Sequence, residues 1–269
     1  MRSRALAAAV SLVMICAGRV CAQAPDTVLL EELTWTELRD LIGATSTTII
    51  VPVGGTEQNG PHMTPGKHNA RVKVLSQKIA RALGGTLVAP VIAYVPEGRL
   101  SPATGHMRFP GTVTIPDPTF QKVLEYAARS FKVHGFRDIV FLGDHGSTQA
   151  DQKAAAGRLN REWAAAPVRV HAVEEYYLAA DVEFPRLLSE RGHRREELGF
   201  HAGLTDTSLM LAVDPSTVRT SRLRPDSWPA GASGVSGDPT RASAELGRLG
   251  VEMIVSRTAE AIRKSIAHR

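Results

Sequence analysis

Apolar runs alternate with amphipathic stretches along this chain, and the alternation predicts its architecture. Residues 47–53, Thr-Thr-Ile-Ile-Val-Pro-Val, carry no charge and read as a strand buried on both faces. Residues 87–95 and 138–142 read the same way, the former with a bend at Pro90. Residues 168–173 alternate polar and apolar positions, as a strand toward a sheet edge does. Between these runs the spacing changes to that of helices. Short helical patterns cover 35–41 and 69–83, the second stopped by Gly84-Gly85. Residues 117–134 place Phe120, Val123, Leu124, Ala127, Ala128 and Phe131 on one stripe, with Gly135 just past the end. Helices are also predicted over 148–165 and from Asp238-Pro239 to about Ala267, where Pro follows an Asp cap. Strand and helix in strict alternation predict one α/β domain, a mostly parallel sheet covered by helices on both faces. The stretch 222–238, rich in Pro, Gly and Ser, is a loop late in that domain rather than a boundary.

The first 22 residues change the composition. Met1-Arg-Ser-Arg4, an apolar run from Ala5 to Ala17 and Val20-Cys21-Ala22 have the shape of a secretory signal peptide cleaved after Ala22. The run is short for a membrane span. Cleavage removes both cysteines, Cys16 and Cys21, and three arginines with no acid, so the formal charge falls from +5 to +2. The mature domain, residues 23–269, is then expected in the periplasm, with no disulfide and no membrane anchor. No Lys/Arg stripe marks it for nucleic acid.

Candidate chemistry gathers in four loops. The first strand empties into Gly54-Gly-Thr-Glu57-Gln-Asn-Gly-Pro-His62-Met-Thr-Pro-Gly-Lys-His68, a carboxylate and two imidazoles in a backbone constrained by Gly and Pro. Loops at the carboxyl ends of parallel strands are where α/β proteins bind ligands. Glu and His suit a divalent transition metal. The third strand leads into Gly143-Asp144-His145-Gly146-Ser147, where His145 is a ligand or an acid/base while Asp144 or Ser147 caps the next helix. In His201-Ala-Gly-Leu-Thr-Asp206-Thr-Ser208, residues 205–208 read as a helix cap, and Asp206 serves either that cap or the chemistry. In Gly105-His106-Met-Arg108-Phe-Pro-Gly111-Thr112, His106 and Arg108 either reach a substrate or brace a tight turn.

These loops, in this order, resemble the creatininase family of metal-dependent amidohydrolases. The family pattern runs Pro-x-Gly-Ser-x-Glu-Gln-His-Gly-Pro-His-Leu-Pro and an Asp, then His-x-x-Phe-Pro-Gly-Thr, Asn-Gly-His-x-(Glu/Gly)-Asn and His-Ala-Gly-x-x-Glu-Thr-Ser. It ends in Gly-Val-x-Gly-Asp-Pro, matched here by Gly234-Val-Ser-Gly-Asp-Pro239. The resemblance covers about residues 34–261. It implies a three-layer α/β/α sandwich and two divalent metals held by a Glu, a His, a bridging Asp, a second His and a second Glu. Carried across, the Glu is Glu57 and the second His is His145. The first His is replaced by Asn59, the Asp by His68 and the second Glu by Ser147. Each position serving only the second metal has lost its ligand, and an imidazole at the shared position cannot bridge two ions.

The expectation is therefore one divalent ion on Glu57, His68 and His145, zinc first, with manganese or iron as alternatives. His201 matches a family His proposed as proton donor to the leaving nitrogen, and Asp206 matches the family Glu one methylene shorter. Asn59, His62, His106, Arg108, Asp144 and Ser147 are assigned to the substrate side. The implied activity is hydrolysis of a small cyclic or linear amide by metal-activated water, in a homo-oligomer, a hexamer by resemblance. The competing readings are a lactone-type hydrolase and an inactive metal- or solute-binding protein on the same fold.

Overall fold

The computed structural model describes residues 25–44, 47–228 and 233–268. The expected leader lies outside the described residues. The strands are β1 (Thr48–Val53), β2 (Thr86–Val88), β3 (Asp138–Gly143) and β4 (Arg169–Ala172). They form one parallel sheet in the order β2-β1-β3-β4. The helices are α1 (Trp35–Ala44), α2 (Lys67–Leu83), α3 (Asp117–Val133), α4 (Gln149–Glu162), α5 (Glu175–Leu178), α6 (Phe184–Glu190), α7 (Arg195–Leu198), α8 (Leu204–Val213) and α9 (Ala244–Ala267). A π-helical turn, Ala179–Glu183, carries α5 into α6.

Side chains of successive strand residues point to opposite faces, and the core divides accordingly. Ile49, Val51, Val53, Ile139 and Phe141 pack against Phe120, Leu124 and Ala128 of α3 and Ala155 and Leu159 of α4. Ile50, Val140 and Leu142 pack on the other face against Val72, Leu75 and Ile79 of α2, Leu209 of α8, and Ile254 and Ile262 of α9. The result is the expected three-layer α/β/α sandwich. Among the described residues no helix is long and apolar enough to cross a membrane.

Two expected elements differ. The second strand stops at Val88, because Pro90 has no N–H to continue the ladder. The chain still follows β1 loosely, through Ile92 opposite Val53 and the Gly54 N–H on the Ile92 carbonyl. The last helix starts at Ala244 rather than at Pro239. Asp238 accepts from the Thr240 N–H and hydroxyl in a local turn, and Ser243 Oγ caps α9 by accepting from Leu246 N at 3.2 Å. The helix α5–α6 was not foreseen.

The chain crosses from β1 to β2 on one side and then to β3 on the other. That reversal is the topological switch point, where a crevice opens beyond the strand ends. The loops after β1 and β3 carry Glu57 and His145 to this point.

Candidate metal centre

Local backbone fixes where Glu57 points. A Cβ on Gly54 would meet Asn69 Oδ1 at 2.1 Å, so only Gly lets α2 approach the end of β1 this closely. The loop then closes on itself through Glu57 N to the Pro65 carbonyl at 3.2 Å. Asn59 Nδ2 donates to the Glu57 and Thr64 carbonyls at 3.0 and 3.1 Å. The chain enters α2 immediately afterwards, with His68 in its first turn. His201 is turned into the crevice by Ala202, a buried non-glycine residue at φ 55°.

Glu57 is fully buried at the centre of the cluster. Its Oε1 lies 2.7 Å from His68 Nε2, 3.5 Å from Lys67 Nζ and 3.6 Å from His201 Nδ1. Its Oε2 lies 3.0 Å from His106 Nε2 and 3.1 Å from His145 Nε2. Burial raises the Glu57 pKa, but His68, His145 and Lys67 outweigh it and hold the carboxyl well below its ordinary range.

The nitrogen on the far side of each ring decides what the near one can do. His68 Nδ1 lies 2.6 Å from Asp144 Oδ2. Burial works against ionised Asp144, yet Arg71 and His68 keep its pKa below the usual range, so it accepts and Nδ1 must carry the hydrogen. Nε2 faces Glu57 Oε1 at 2.7 Å, where, against the cost of burial, its hydrogen accounts for the lowered Glu57 pKa; shedding that proton frees the lone pair a metal requires. His145 is held differently. Ser147 Oγ lies 2.7 Å from Nδ1 and donates to the Pro96 carbonyl at 2.9 Å, while the Ser147 N–H donates to the same Nδ1 at 3.2 Å. Nδ1 is thus an acceptor, and Nε2 carries the hydrogen toward Glu57 at 3.1 Å. Burial lowers the His145 pKa and keeps the ring neutral. Both near nitrogens face one buried carboxylate, the disposition of a metal site whose binding displaces their hydrogens. An oxygen or carboxylate behind a ligating imidazole is the usual outer partner of a metal site.

Glu57, His106 and His201 form a second group with ligand atoms close enough to share an ion. Its far-side bonds are different. The Gln58 amide is oriented by Gly60 N donating to its Oε1 at 2.9 Å and by its own Nε2 donating to the Gly234 carbonyl at 2.8 Å. Nε2 also donates to His106 Nδ1 at 3.0 Å. His106 Nε2 therefore carries a hydrogen and offers it to Glu57 rather than a lone pair. His201 Nε2 donates to the Gln58 carbonyl at 2.8 Å, which leaves Nδ1 as an acceptor facing the crevice. Burial first and Lys67 second push His201 down to about 4. It is a neutral imidazole with a free lone pair, not a ready proton donor.

A layer of buried charge lies beneath. Lys67, 1 % exposed, donates to Asp206 Oδ2 at 2.9 Å. Arg71 donates to both Asp144 oxygens at 3.0 and 2.9 Å and to Asp206 Oδ1 at 2.6 Å. The Tyr176 hydroxyl donates to Asp144 Oδ1 at 2.5 Å. Asp206 also takes the Ala202 N–H at 2.9 Å. Helix α8 is capped at Gly203, so Asp206 sits inside its first turn and residues 205–208 are not the cap. Both Asp206 oxygens are committed to these partners. It anchors the cations and the turn beside His201.

Glu57, His68, His145, His106, His201 and Asp206 come together around one cavity of about 220 Å³. A second cavity of about 740 Å³ meets it at His106 and His145. Other expectations for the substrate side are corrected. Asn59, 1 % exposed, braces the Glu57 loop with both amide hydrogens. His62 is fully buried between Thr207 Oγ1 at 3.0 Å and the stacked ring of Trp228, and burial lowers it to about 4. Arg108 is exposed and lines neither cavity. Asp144 lines the smaller cavity and Ser147 the larger, and each also contacts the far nitrogen of His68 or His145. Sequence reasoning passed over Glu97, Lys67 and Arg71. Lys67 and Arg71 had a signal: cations in the first turns of a helix oppose its dipole, so a buried anion must hold them there. Glu97 is 5 % exposed beside Glu57, and burial together with that like charge pushes it up to about 9.

The family model described as creatinine amidohydrolase matches residues 31–262. The creatinine amidohydrolase of Pseudomonas putida is 26 % identical over 255 residues, 88 % of this chain and 97 % of that protein. The mycofactocin precursor peptide peptidase of Mycobacterium tuberculosis is 28 % identical over 230 residues, 76 % of this chain and 80 % of that protein. A solved mutant creatininase superposes with a TM-score of 0.73 at 26 % identity, covering 89 % of this chain and 99 % of the other. Among related solved creatininases one is described with manganese and another as a zinc–zinc form. Matched along nearly its whole described length, the chain belongs to the creatininase family of metal-dependent amidohydrolases.

Proposed function

We propose that this chain hydrolyses the C–N bond of a small polar amide with one divalent ion, held by Glu57, His68 and His145. The observation that carries the reading is the convergence of His68 Nε2 and His145 Nε2 on the buried Glu57 carboxylate, with Asp144 holding the far nitrogen of His68. The second group differs in that neither of its imidazoles has a carboxylate behind it. An ion held there supplies a polarising charge for the amide carbonyl and a water of lowered pKa.

The chain's own residues supply the proton path. His201 Nδ1, neutral and facing the cavity, takes a proton at that nitrogen and returns it to the departing amine. It acts as base before it acts as acid, where the sequence reading made it a donor from the start. His106 holds its Nε2 hydrogen toward the same space and is placed to bind a carbonyl oxygen. Lys67 and Arg71 keep Asp206 ionised and the floor of the cavity fixed. Burial works against that ionised carboxylate, and the two cations outweigh it, holding its pKa well below the ordinary range. Zinc is the first expectation for the ion, with manganese or iron as alternatives.

Secretion after cleavage at Ala22 and assembly into a homo-oligomer belong to the same proposal. Phe200, 78 % exposed at the rim of the smaller cavity, supports a subunit contact near the site. Metal analysis of the purified protein, with turnover on a panel of small amides and lactones, tests the reading. One bound ion with amide hydrolysis supports it. No bound metal, two tightly held ions or activity confined to lactones would overturn it.

A further inference from the structure

We infer that Glu97 is a further ligand of the metal, so that this chain holds its ion with two imidazoles and two carboxylates. The inference rests on the metal reading above and concerns a residue outside the expected ligand set.

Of the buried carboxylates around the crevice, Glu57, Asp144 and Asp206 all accept hydrogen bonds. Glu97 has no partner at either oxygen apart from the neighbouring Glu57 carboxyl, although it is 95 % buried. A buried carboxylate without hydrogen bonds is costly, and such groups in folded proteins are paired or bind a cation. Glu97 Oε2 lies 3.3 Å from His145 Nε2, the ring nitrogen that faces Glu57. Neighbouring donors about 2.0–2.2 Å from an ion stand roughly 3.0–3.4 Å apart in octahedral to tetrahedral shells, and a five- or six-coordinate shell keeps a position for water beside four protein ligands. The Glu97–His145 separation is therefore one edge of a coordination shell, as is the 3.1 Å edge between Glu57 Oε2 and His145 Nε2.

The surroundings hold Glu97 in place. Its N–H donates to Thr114 Oγ1 at 2.9 Å. Ser147 Oγ ties the preceding Pro96 carbonyl to the His145 loop at 2.9 Å. Gly98 follows at φ 128°, where a Cβ would stand 2.4 Å from the Thr104 carbonyl oxygen. Gly55 leaves the room that Glu97 fills, since a Cβ there would lie 2.8 Å from Glu97 Oε1. The chain thus has a cradle for this carboxylate on both the β1 and the β3 sides of the switch point. A second carboxylate makes the donor set harder and neutralises a divalent ion, which favours manganese or iron relative to a two-imidazole, one-carboxylate site.

The test is metal titration of the metal-free wild-type protein, Glu97→Gln, Glu97→Asp and His68→Ala, with Mn²⁺ by calorimetry and Co²⁺ by visible absorbance. Circular dichroism verifies that each variant folds. Glu97→Gln should lower Mn²⁺ affinity about 10–100-fold or more and change the Co²⁺ spectrum. Glu97→Asp, which keeps the charge but withdraws the oxygens, should fall between it and wild type. Affinity within about 3-fold of wild type in either variant, with binding abolished in His68→Ala, overturns the inference and leaves the metal reading standing. If wild type binds neither ion, both fall. Should Glu97→Gln not fold, the Glu97→Asp titration decides.

Discussion

Two groups share Glu57: His68 with His145, and His106 with His201. Both pair a buried carboxylate with two imidazoles at short range, and both would pass a search for metal-binding side chains. They differ in what stands behind the rings. Behind His68 the Asp144 carboxylate takes the Nδ1 hydrogen and leaves Nε2 for an ion, and behind His145 stands Ser147, whose N–H reaches Nδ1. Gln58 gives a hydrogen to His106 and takes one from His201, so that pair offers Glu57 one hydrogen and one lone pair. Identity and distance do not distinguish a ligand pair from a proton-handling pair here; the outer hydrogen bonds do.

Substitutions at matched positions break or sharpen this contrast. The largest expected effect is on metal content. His68→Ala should lose nearly all bound metal, and His106→Ala should retain it, both by elemental analysis of purified protein. Equal loss from the two variants would end the distinction. Next, His201→Gln should lower turnover about 10²–10⁴-fold with metal content unchanged. Loss of the metal from that variant would make His201 a ligand instead. Asp144→Asn should weaken metal affinity about 10–100-fold, since the far nitrogen of His68 loses its anionic acceptor. Chelator competition measures this, and an unchanged affinity would remove Asp144 from the site.

A smaller effect concerns pH. His201 acts as a neutral base, and its pKa lies at about 4 against an ordinary value of 6.5. Protonation abolishes the acceptor, so the rate should hold as pH falls through 6.5 and drop only below about 5. A nearby bound cation moves the limb in the same direction. A limb at pH 6.5 that is absent in His201→Gln would refute the assignment. The smallest effect is at Asn59. Asn59→Ala removes two hydrogen bonds to buried carbonyls and should cost on the order of 1–3 kcal/mol in denaturant unfolding, with full metal content.

Much of the fold was legible because burial is written into periodicity. β1 and β3 are covered on both faces and, apart from Asp138 at the start of β3, carry no charge, so their apolar runs gave them away. β2 was over-read because its apolar run outlasts its ladder, which Pro90 ends at Val88. In the site, Glu57, His68 and His145 were legible from residue type and the strand ends they follow. Asn59, His62 and Arg108 were misplaced because nearness in sequence does not fix side-chain direction. Asn59 turns back onto its own loop, His62 turns into Thr207 and Trp228, and Arg108 turns to solvent. Glu97 carried no sequence mark, since an isolated Glu in a loop is ordinarily solvated and its burial depends on Gly55, far away in the chain.

Gln58 reaches the Gly234 carbonyl across 176 positions of sequence and His201 across 143. Contacts this distant form late, after more local structure has closed the intervening loops. The hydrogen placement of His106 and His201 is therefore among the last properties the chain acquires as it folds. Glu57 reaches His145 across 88 positions, so the three proposed ligands close over shorter loops than the Gln58–His201 pair does. Metal capture then precedes competence, and a refolding experiment should show metal uptake ahead of recovered turnover.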